Sequence, residues 1–410
     1  MRLLVRRVRT TLGERDLRIA GRKIQASATG LAARRRERVL DGRGMIALPG
    51  LINAHDHLSL NLLPPLGTPP YASVYAFAED VYRPEEAPLR PLQGDTRVRD
   101  RLWWGAYKNL IAGVTTVVHH DPFTRRIFRR RFPVKVLRRY GWSHSLRFGP
   151  DPAAAHRACR GAPFIIHAAE GVDPEAGSEI DRLDALGVLA PGTVLVHAIQ
   201  TSPAQRQKLA ASGAGVVWCP HSNLRLYAAT AAIDALRADG IPVALGTDAT
   251  MSGASTLLDE VRDALATGLA DPDQVLAMVT GEAARLFGFG DGRGTLETGA
   301  PADLVLLPAG DASPAETLAT AGPADIALVL VDGEARVADP VRAEHLGLAA
   351  PNAWIDGAPK HLYGDLARLR ARLLADAGPE ALAAGALWCR LTSSEQAVPN
   401  GQDPDREWGC

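Results

Sequence analysis

Hydrophobic and polar positions alternate at the start of the chain: loosely from Arg2 to Arg9, clearly from Leu17 to Ala28, and again from Arg38 to Leu48. Pro49-Gly50 ends that pattern. A period of two predicts half-buried strands. Beyond residue 50 the apolar runs become nearly continuous: Leu51-Ile52, Gly113 to Val118, Val134 to Val136, Phe164 to Ile166, Thr193 to Val196, Gly215 to Trp218 and Val243 to Leu245. Such runs suit parallel strands buried on both faces. Helical periodicity separates them at Arg99 to Ala112, Glu179 to Leu186, Pro203 to Ser212 and Ala231 to Ala238. The alternation predicts an α/β fold, a (β/α)8 TIM-type barrel. Seven strands are visible, and the eighth is expected near Trp142 to Phe148, where periodicity is poor.

Strand-type patterns return at Gly294 to Leu307, Ile326 to Val331 and Glu334 to Val337. Each terminal block is too small to bury a core alone, so the two should combine into one small β-sandwich. The expected plan is a β-sandwich from residues 1–49 plus 291–340, a barrel over 50–290, and a C-terminal helical extension over 341–410. The extension rests on helical patterns at Leu362 to Ala375 and Pro379 to Trp388. A Pro-rich, aromatic stretch from Leu58 to Tyr82 follows the first barrel strand, and a loop of that length is expected to be a lid over the barrel mouth.

Composition narrows the partners. The chain has 410 residues, with 46 basic side chains against 46 acidic ones. Overall charge therefore gives no reason to expect nucleic acid or a membrane surface as partner. Arg125-Arg126-Ile127-Phe128-Arg129-Arg130-Arg131 is a local exception, read either as an anion patch or, favoured by the zero net charge, as a solvated helix face. The four cysteines form no C-x-x-C pair, which fits thiols in a reducing compartment. Neither a signal peptide nor a membrane-length apolar segment is seen. A cytoplasmic protein acting on a small molecule is expected, with a homodimer as the assembly to look for.

The chemistry sits where the apolar runs stop. His55 and His57 emerge on one face of a strand while Asp56 points away, and two such imidazoles are well placed to share a metal ion. Ile165-Ile166 stops at His167, with Glu170 three residues on; Leu195-Val196 stops at His197; Ala244 to Thr247 stops at Asp248. In a barrel, strand ends converge on one site, so these residues could meet across nearly two hundred positions. His167 and Glu170 would face opposite sides of a continued strand. The chain must therefore turn after His167, and Gly171 and Pro174 agree with that. His119, His120, His144, Arg147 and His221 lie where barrel loops begin and are candidates for substrate contact. Asn223 reads as structural, and Trp103-Trp104 as core.

Six motifs carry a resemblance: PGLINAHDH (49–57), HAAE (167–170), VHA (196–198), WCPHSNLRL (218–226), LGTDATMSG (245–253) and GTLETGAPADLVLL (294–307). In this order they resemble the amidohydrolase superfamily, in its cytosine-deaminase-like and chlorohydrolase-like branch. The resemblance implies one divalent metal ion, zinc ahead of iron, held by His55, His57, His167 and Asp248. It also implies hydroxide supplied at that metal, Glu170 as the proton carrier, His197 orienting the hydroxide, and Asp248 accepting its proton. The implied activity is hydrolysis of a carbon–nitrogen bond other than a peptide bond: deamination of an amino-substituted purine, pyrimidine, pterin or triazine. Hydrolysis of a cyclic amide or of another C–N or C–Cl bond is the enzymatic alternative. A barrel that merely retains metal is the alternative outside catalysis. A two-metal site bridged by a carboxylated lysine would need Lys135, which does not close a strand.

Overall fold

In the computed structural model, residues 2–82, 98–378, 382 and 385–393 are described. The chain opens with β1 (Arg2–Thr10), β2 (Gly13–Ala20), β3 (Lys23–Ala28), β4 (Arg38–Asp41) and β5 (Met45–Pro49). Eight short strands follow: β6 (Leu51–Asp56), β7 (Val114–His119), β8 (Lys135–Val136), β9 (Gly141–Ser143), β10 (Phe164–Ala168), β11 (Thr193–His197), β12 (Gly215–Trp218) and β13 (Val243–Leu245). They pair in parallel and in chain order, in two arcs, β6-β7-β8 and β9-β10-β11-β12-β13. The ring closes where the N–H groups of Thr247 and Asp248, just past β13, donate to the His55 carbonyl at 3.0 and 3.2 Å. This is the TIM-type barrel. The eighth strand, expected near Trp142 to Phe148, is β9 at Gly141–Ser143, three residues long and so too short to show a period.

Both faces of these strands are covered, which is why their sequences read as unbroken apolar runs. Ile52, Ile165, Val194, Val196, Val217 and Ala244 form one buried cluster. Their neighbours Leu51, Phe164, Ile166, Leu195, Val216 and Val243 belong to a different one, shared with the surrounding helices. Neighbouring residues thus face two separate cores.

The remaining strands are β14 (Leu304–Pro308), β15 (Leu328–Val331), β16 (Glu334–Ala338), β17 (Ala353–Ile355), β18 (Ala358–Leu362) and β19 (Leu391–Ser393). With the first five they form one continuous sheet, ordered β19-β17-β18-β16-β15-β14-β5-β1-β2-β3, with β4 beside β1. The two ends of the chain meet at β5 and β14, antiparallel, with Leu48 opposite Val305. Leu3, Leu17 and Ile24 share a core with Leu304, Leu306 and Leu328. The sheet curls until the Ile24 N–H bonds the Ala300 carbonyl at 2.9 Å. We propose this layer as the accessory domain.

Three expectations change here. Segment 341–410, expected to be helical, contributes β17, β18 and β19 as well as the helix Leu366–Ala377. The missed signal is Asp356-Gly357, whose φ angles of 46° and 79° make the tight turn between β17 and β18. The arginine-rich stretch 125–131 is a set of turns, not a helix face. Cys159 and Cys219 are free thiols, whereas Cys389 is disulfide-bonded, unlike the four thiols expected. Among the described residues no helix is long and apolar enough to cross a membrane.

Candidate active site

Residues at the C-terminal ends of β6, β10, β11 and β13 come together at one mouth of the barrel. His167 Nε2 lies 3.2 Å from His55 Nε2 and 3.4 Å from His57 Nε2. Asp248 Oδ1 lies 3.6 Å from His55 Nε2 and 3.9 Å from His57 Nε2. The far ring nitrogens show which tautomers are present. His167 Nδ1 donates to the His144 carbonyl at 2.6 Å, so its Nε2 carries a lone pair. His57 Nδ1 faces the Asp121 carboxylate at 3.3 Å, which leaves Nε2 of that ring inward as well. A carboxylate or carbonyl behind an inward imidazole is how ligating histidines are held.

His120 joins this cluster. Its ring stacks on His167 with centroids 4.2 Å apart, and its Nε2–H donates to the Ser143 carbonyl at 2.9 Å. The other nitrogen, Nδ1, is buried without a partner, and the ring brings a nitrogen within 4.8 Å of ring nitrogens of His55, His57 and His167. Burial, together with the neighbouring imidazoles, pushes His120 and His167 well below the usual histidine range, and His55 down to about 3. His57 goes the other way: burial lowers it, but the Asp121 charge outweighs this and raises it to about 9, so it would have to release a proton to bind a cation. The converging lone pairs of His55, His120 and His167 repel one another unless a cation sits among them, so these donors fit a divalent metal ion.

The acid and the remaining imidazole stand beside the cluster. Glu170 is buried and accepts a 2.7 Å hydrogen bond from Tyr227, while its second oxygen is unpartnered. Burial and the nearby Asp248 charge raise its carboxyl well above the usual range, which favours the protonated form. His197 Nε2 lies 3.5 Å from Glu170 Oε1, and its Nδ1 donates to Asn223 Oδ1 at 2.7 Å. The turn after β10 has Ala169 at φ 51°, and His197 and Asp248 adopt φ of 76° and 56°. Non-glycine residues held there cost about 1–3 kcal/mol each and concentrate at functional sites.

Behind the site lies a buried polar network centred on Lys108, in the helix Val98–Leu110. Its Nζ donates to the Asp248 carbonyl at 2.7 Å, to Asn61 at 2.9 Å and to Thr247 Oγ1 at 3.0 Å, and stands 3.5 Å from Asp56. Asp56 also accepts from Asn61 and Asn109, each at 2.7 Å. This ties the residue between the two β6 histidines to the end of β13. Lys108→Met should leave Asp56 without its cation and lower stability by about 3 kcal/mol. Denaturant unfolding of the variant would measure the loss, and an unchanged midpoint would remove Lys108 from this role.

The Leu58 to Tyr82 segment covers the mouth. It contains the helix Val74–Val81, and its Val74 N–H donates to the Glu170 carbonyl at 3.0 Å. Val172 returns a bond to the Ala72 carbonyl at 2.7 Å. Gly171, at φ 152°, permits this contact, since a Cβ there would stand 2.5 Å from the Ala72 oxygen. The cavity beneath this segment measures about 440 Å³ and is walled by Leu60, Val74, Phe77, Phe148, Leu226 and Met251. Among the described residues no Lys or Arg lines it.

The candidate substrate contacts divide. His144 lines the cavity, and His120 lies in the imidazole cluster. His119 packs its ring against Phe128, Arg147 pairs with Glu175 and covers Tyr75, and His221 pairs with Asp263 at 2.7 Å; none of the three lines the cavity. Lys135 pairs with Asp303 and Asp332, away from the cluster. Sequence reasoning missed Lys108, Asp121 and Tyr227. A lysine amid the apolar helix residues Trp104 to Ile111 was the available signal for the first.

A model of the Amidohydrolase family matches residues 158–336. A 5-methylthioadenosine/S-adenosylhomocysteine deaminase of Halobacterium salinarum is 30% identical over 332 residues, 66% of this chain and 75% of that protein. The structure of atrazine chlorohydrolase TrzN from Arthrobacter aurescens TC1, complexed with zinc, superposes with a TM-score of 0.72 at 20% identity, covering 92% of this chain and all of that one. A zinc-bound adenosine deaminase from Xanthomonas campestris gives 0.67 at 20% identity, covering 91% and 97% of the two chains. These two are likenesses of fold. The match to the deaminase spans three quarters of its length, and on that ground the chain belongs to the amidohydrolase family.

Proposed function

We propose that the protein is a metal-dependent hydrolase acting on a carbon–nitrogen bond of a heterocycle, and that it releases an exocyclic amino group as ammonia. The observation that carries this reading is Glu170, a buried carboxyl with an unpartnered oxygen, 3.5 Å from His197 beside the imidazole cluster. A metal-retaining barrel without catalysis has no use for such a group. His55, His57 and His167, through Nε2, and Asp248 would hold one divalent ion, zinc ahead of iron. When bound, such an ion supplies a water ionised near neutral pH.

The chain's own groups do the rest. Glu170 gives its proton to the ring nitrogen or to the departing amine. His197, held by Asn223, orients the attacking oxygen through Nε2, and Asp248 takes up the proton that oxygen sheds. Ser252 and the Ala249 N–H, bonded to Asp248 at 2.7 and 2.8 Å, keep its carboxylate in place. The lid helix excludes water, and the apolar wall selects an uncharged ring bearing an apolar substituent. Cytoplasmic location, a small-molecule substrate, no nucleic acid at this site and a homodimeric assembly complete the reading.

The test is a screen of purified, metal-analysed protein for ammonia release from purines, pyrimidines, pterins and triazines. Neutral, apolar-substituted members should turn over ahead of charged nucleotides. Release of chloride, or opening of a cyclic amide, without ammonia would replace deamination by the corresponding hydrolysis.

A further inference from the structure

A second cleft lies at the opposite end of the barrel, where the strands begin. It is larger than the first, about 780 Å³. Its walls come from the turn before β10 (160–163), β8 with the turns before it and residues 137–139 after it, residues 287–293, and the β15–β16 hairpin. Nine cationic side chains line it against two carboxylates, in a chain whose net charge is zero. Several cations are already engaged: Arg130 with Glu334 at 2.9 Å, Arg22 with Asp332, and Lys135 with Asp303 and Asp332.

Four are not. Arg129, Arg138, Arg139 and Arg160 make no ion pair or side-chain hydrogen bond among the described residues. Arg336, 3% exposed, pairs with Glu334 through Nη2 at 2.9 Å, yet its Nε and Nη1 have no partner. Guanidinium groups from separate segments repel one another across a shared cleft, and that arrangement is relieved by a multivalent anion bound bidentately. One phosphate would answer one or two of them. A chain of phosphoryl groups, with three or four charges, answers all four. The cleft has the volume of a small-molecule site, and its walls from several segments enclose a compact ligand rather than track an extended strand.

We propose that this cleft binds a small molecule bearing a chain of phosphoryl groups, gripped by Arg129, Arg138, Arg139 and Arg160. It resolves the arginine-rich stretch 125–131 as one wall of a site. The proposal is independent of the deaminase reading, because none of these residues touches the imidazole cluster.

The test is calorimetric titration of the full chain, at physiological salt, with inorganic tripolyphosphate, ATP and orthophosphate. Tripolyphosphate and ATP should both bind, orthophosphate roughly tenfold or more weakly, and added salt should weaken all three. Arg138→Ala/Arg139→Ala should lower the affinity for tripolyphosphate about tenfold or more, with the melting temperature and turnover unchanged. Arg160→Ala, from a different wall, should repeat the loss. ATP much tighter than tripolyphosphate would assign the ligand as a nucleotide; equal affinities would assign it to the phosphoryl chain alone. No binding by either at about 1 mM, or variants that bind like the parent, would overturn the site. A single-stranded oligonucleotide binding far tighter than ATP would overturn it too, in favour of a nucleic-acid surface.

Discussion

His55→Ala should lose metal and activity together. In the purified protein, elemental analysis should find close to one divalent ion per chain, and the variant should retain almost none of it. His55 Nε2 lies within 3.2 Å of His167 Nε2 and 3.6 Å of Asp248 Oδ1, so its removal opens one side of the cluster. Asp121→Asn is the graded control. It weakens only the partner behind His57, and a loss of about 10–100-fold in metal affinity is expected. His120→Ala decides the place of the fourth imidazole. A loss as deep as that of His55→Ala would make Nδ1 a ligand, and full retention would return the ring to the substrate side. Two tightly held ions in the parent, or metal retained in His55→Ala, would sink the single-ion assignment.

Glu170→Gln should separate chemistry from metal binding. Glutamine keeps the shape of the side chain and can still accept from Tyr227, but it cannot deliver a proton. Turnover should fall by roughly 10²-fold or more while metal content and unfolding midpoint stay near those of the parent. His197→Asn should behave similarly, since it removes the imidazole whose Nε2 stands beside Glu170 without disturbing His55, His57 or His167. Steady-state kinetics with metal analysis on the same preparations checks both. Near-normal turnover in Glu170→Gln would leave the proposed hydrolysis without its acid. Activity lost only in step with metal would recast Glu170 and His197 as ligands.

The order of elements and most of the inward residues were legible in the chain itself, for a local reason. A buried parallel strand needs both faces apolar, so each run announces a strand, and the first polar residue after it marks the strand's end. That rule picked out His167 and His197; His55 came from the H-x-H spacing with His57, and Asp248 from a run extended through Thr247. It failed where an element is too short to show a period, as at Gly141–Ser143. It also failed where a turn carried the information, as at Asp356-Gly357 between two strands in a segment read as helical.

What only the tertiary structure decided is everything that depends on distance between segments. Lys108 was given no role in the sequence reading; packing placed it under Asp56 and the Asp248 carbonyl. His120 and His119 are adjacent and alike in sequence, yet one ring enters the imidazole cluster and the other packs on Phe128. Arg147 and His221 found carboxylates on neighbouring helices instead of the cavity. The arginine-rich stretch gained meaning only when Arg160 and Arg336, from distant segments, were brought to the same cleft. Periodicity records which face of an element is buried, because burial acts on each residue where it stands. Which polar groups meet is settled by the closing of the barrel and the curl of the sheet, and no local pattern records that.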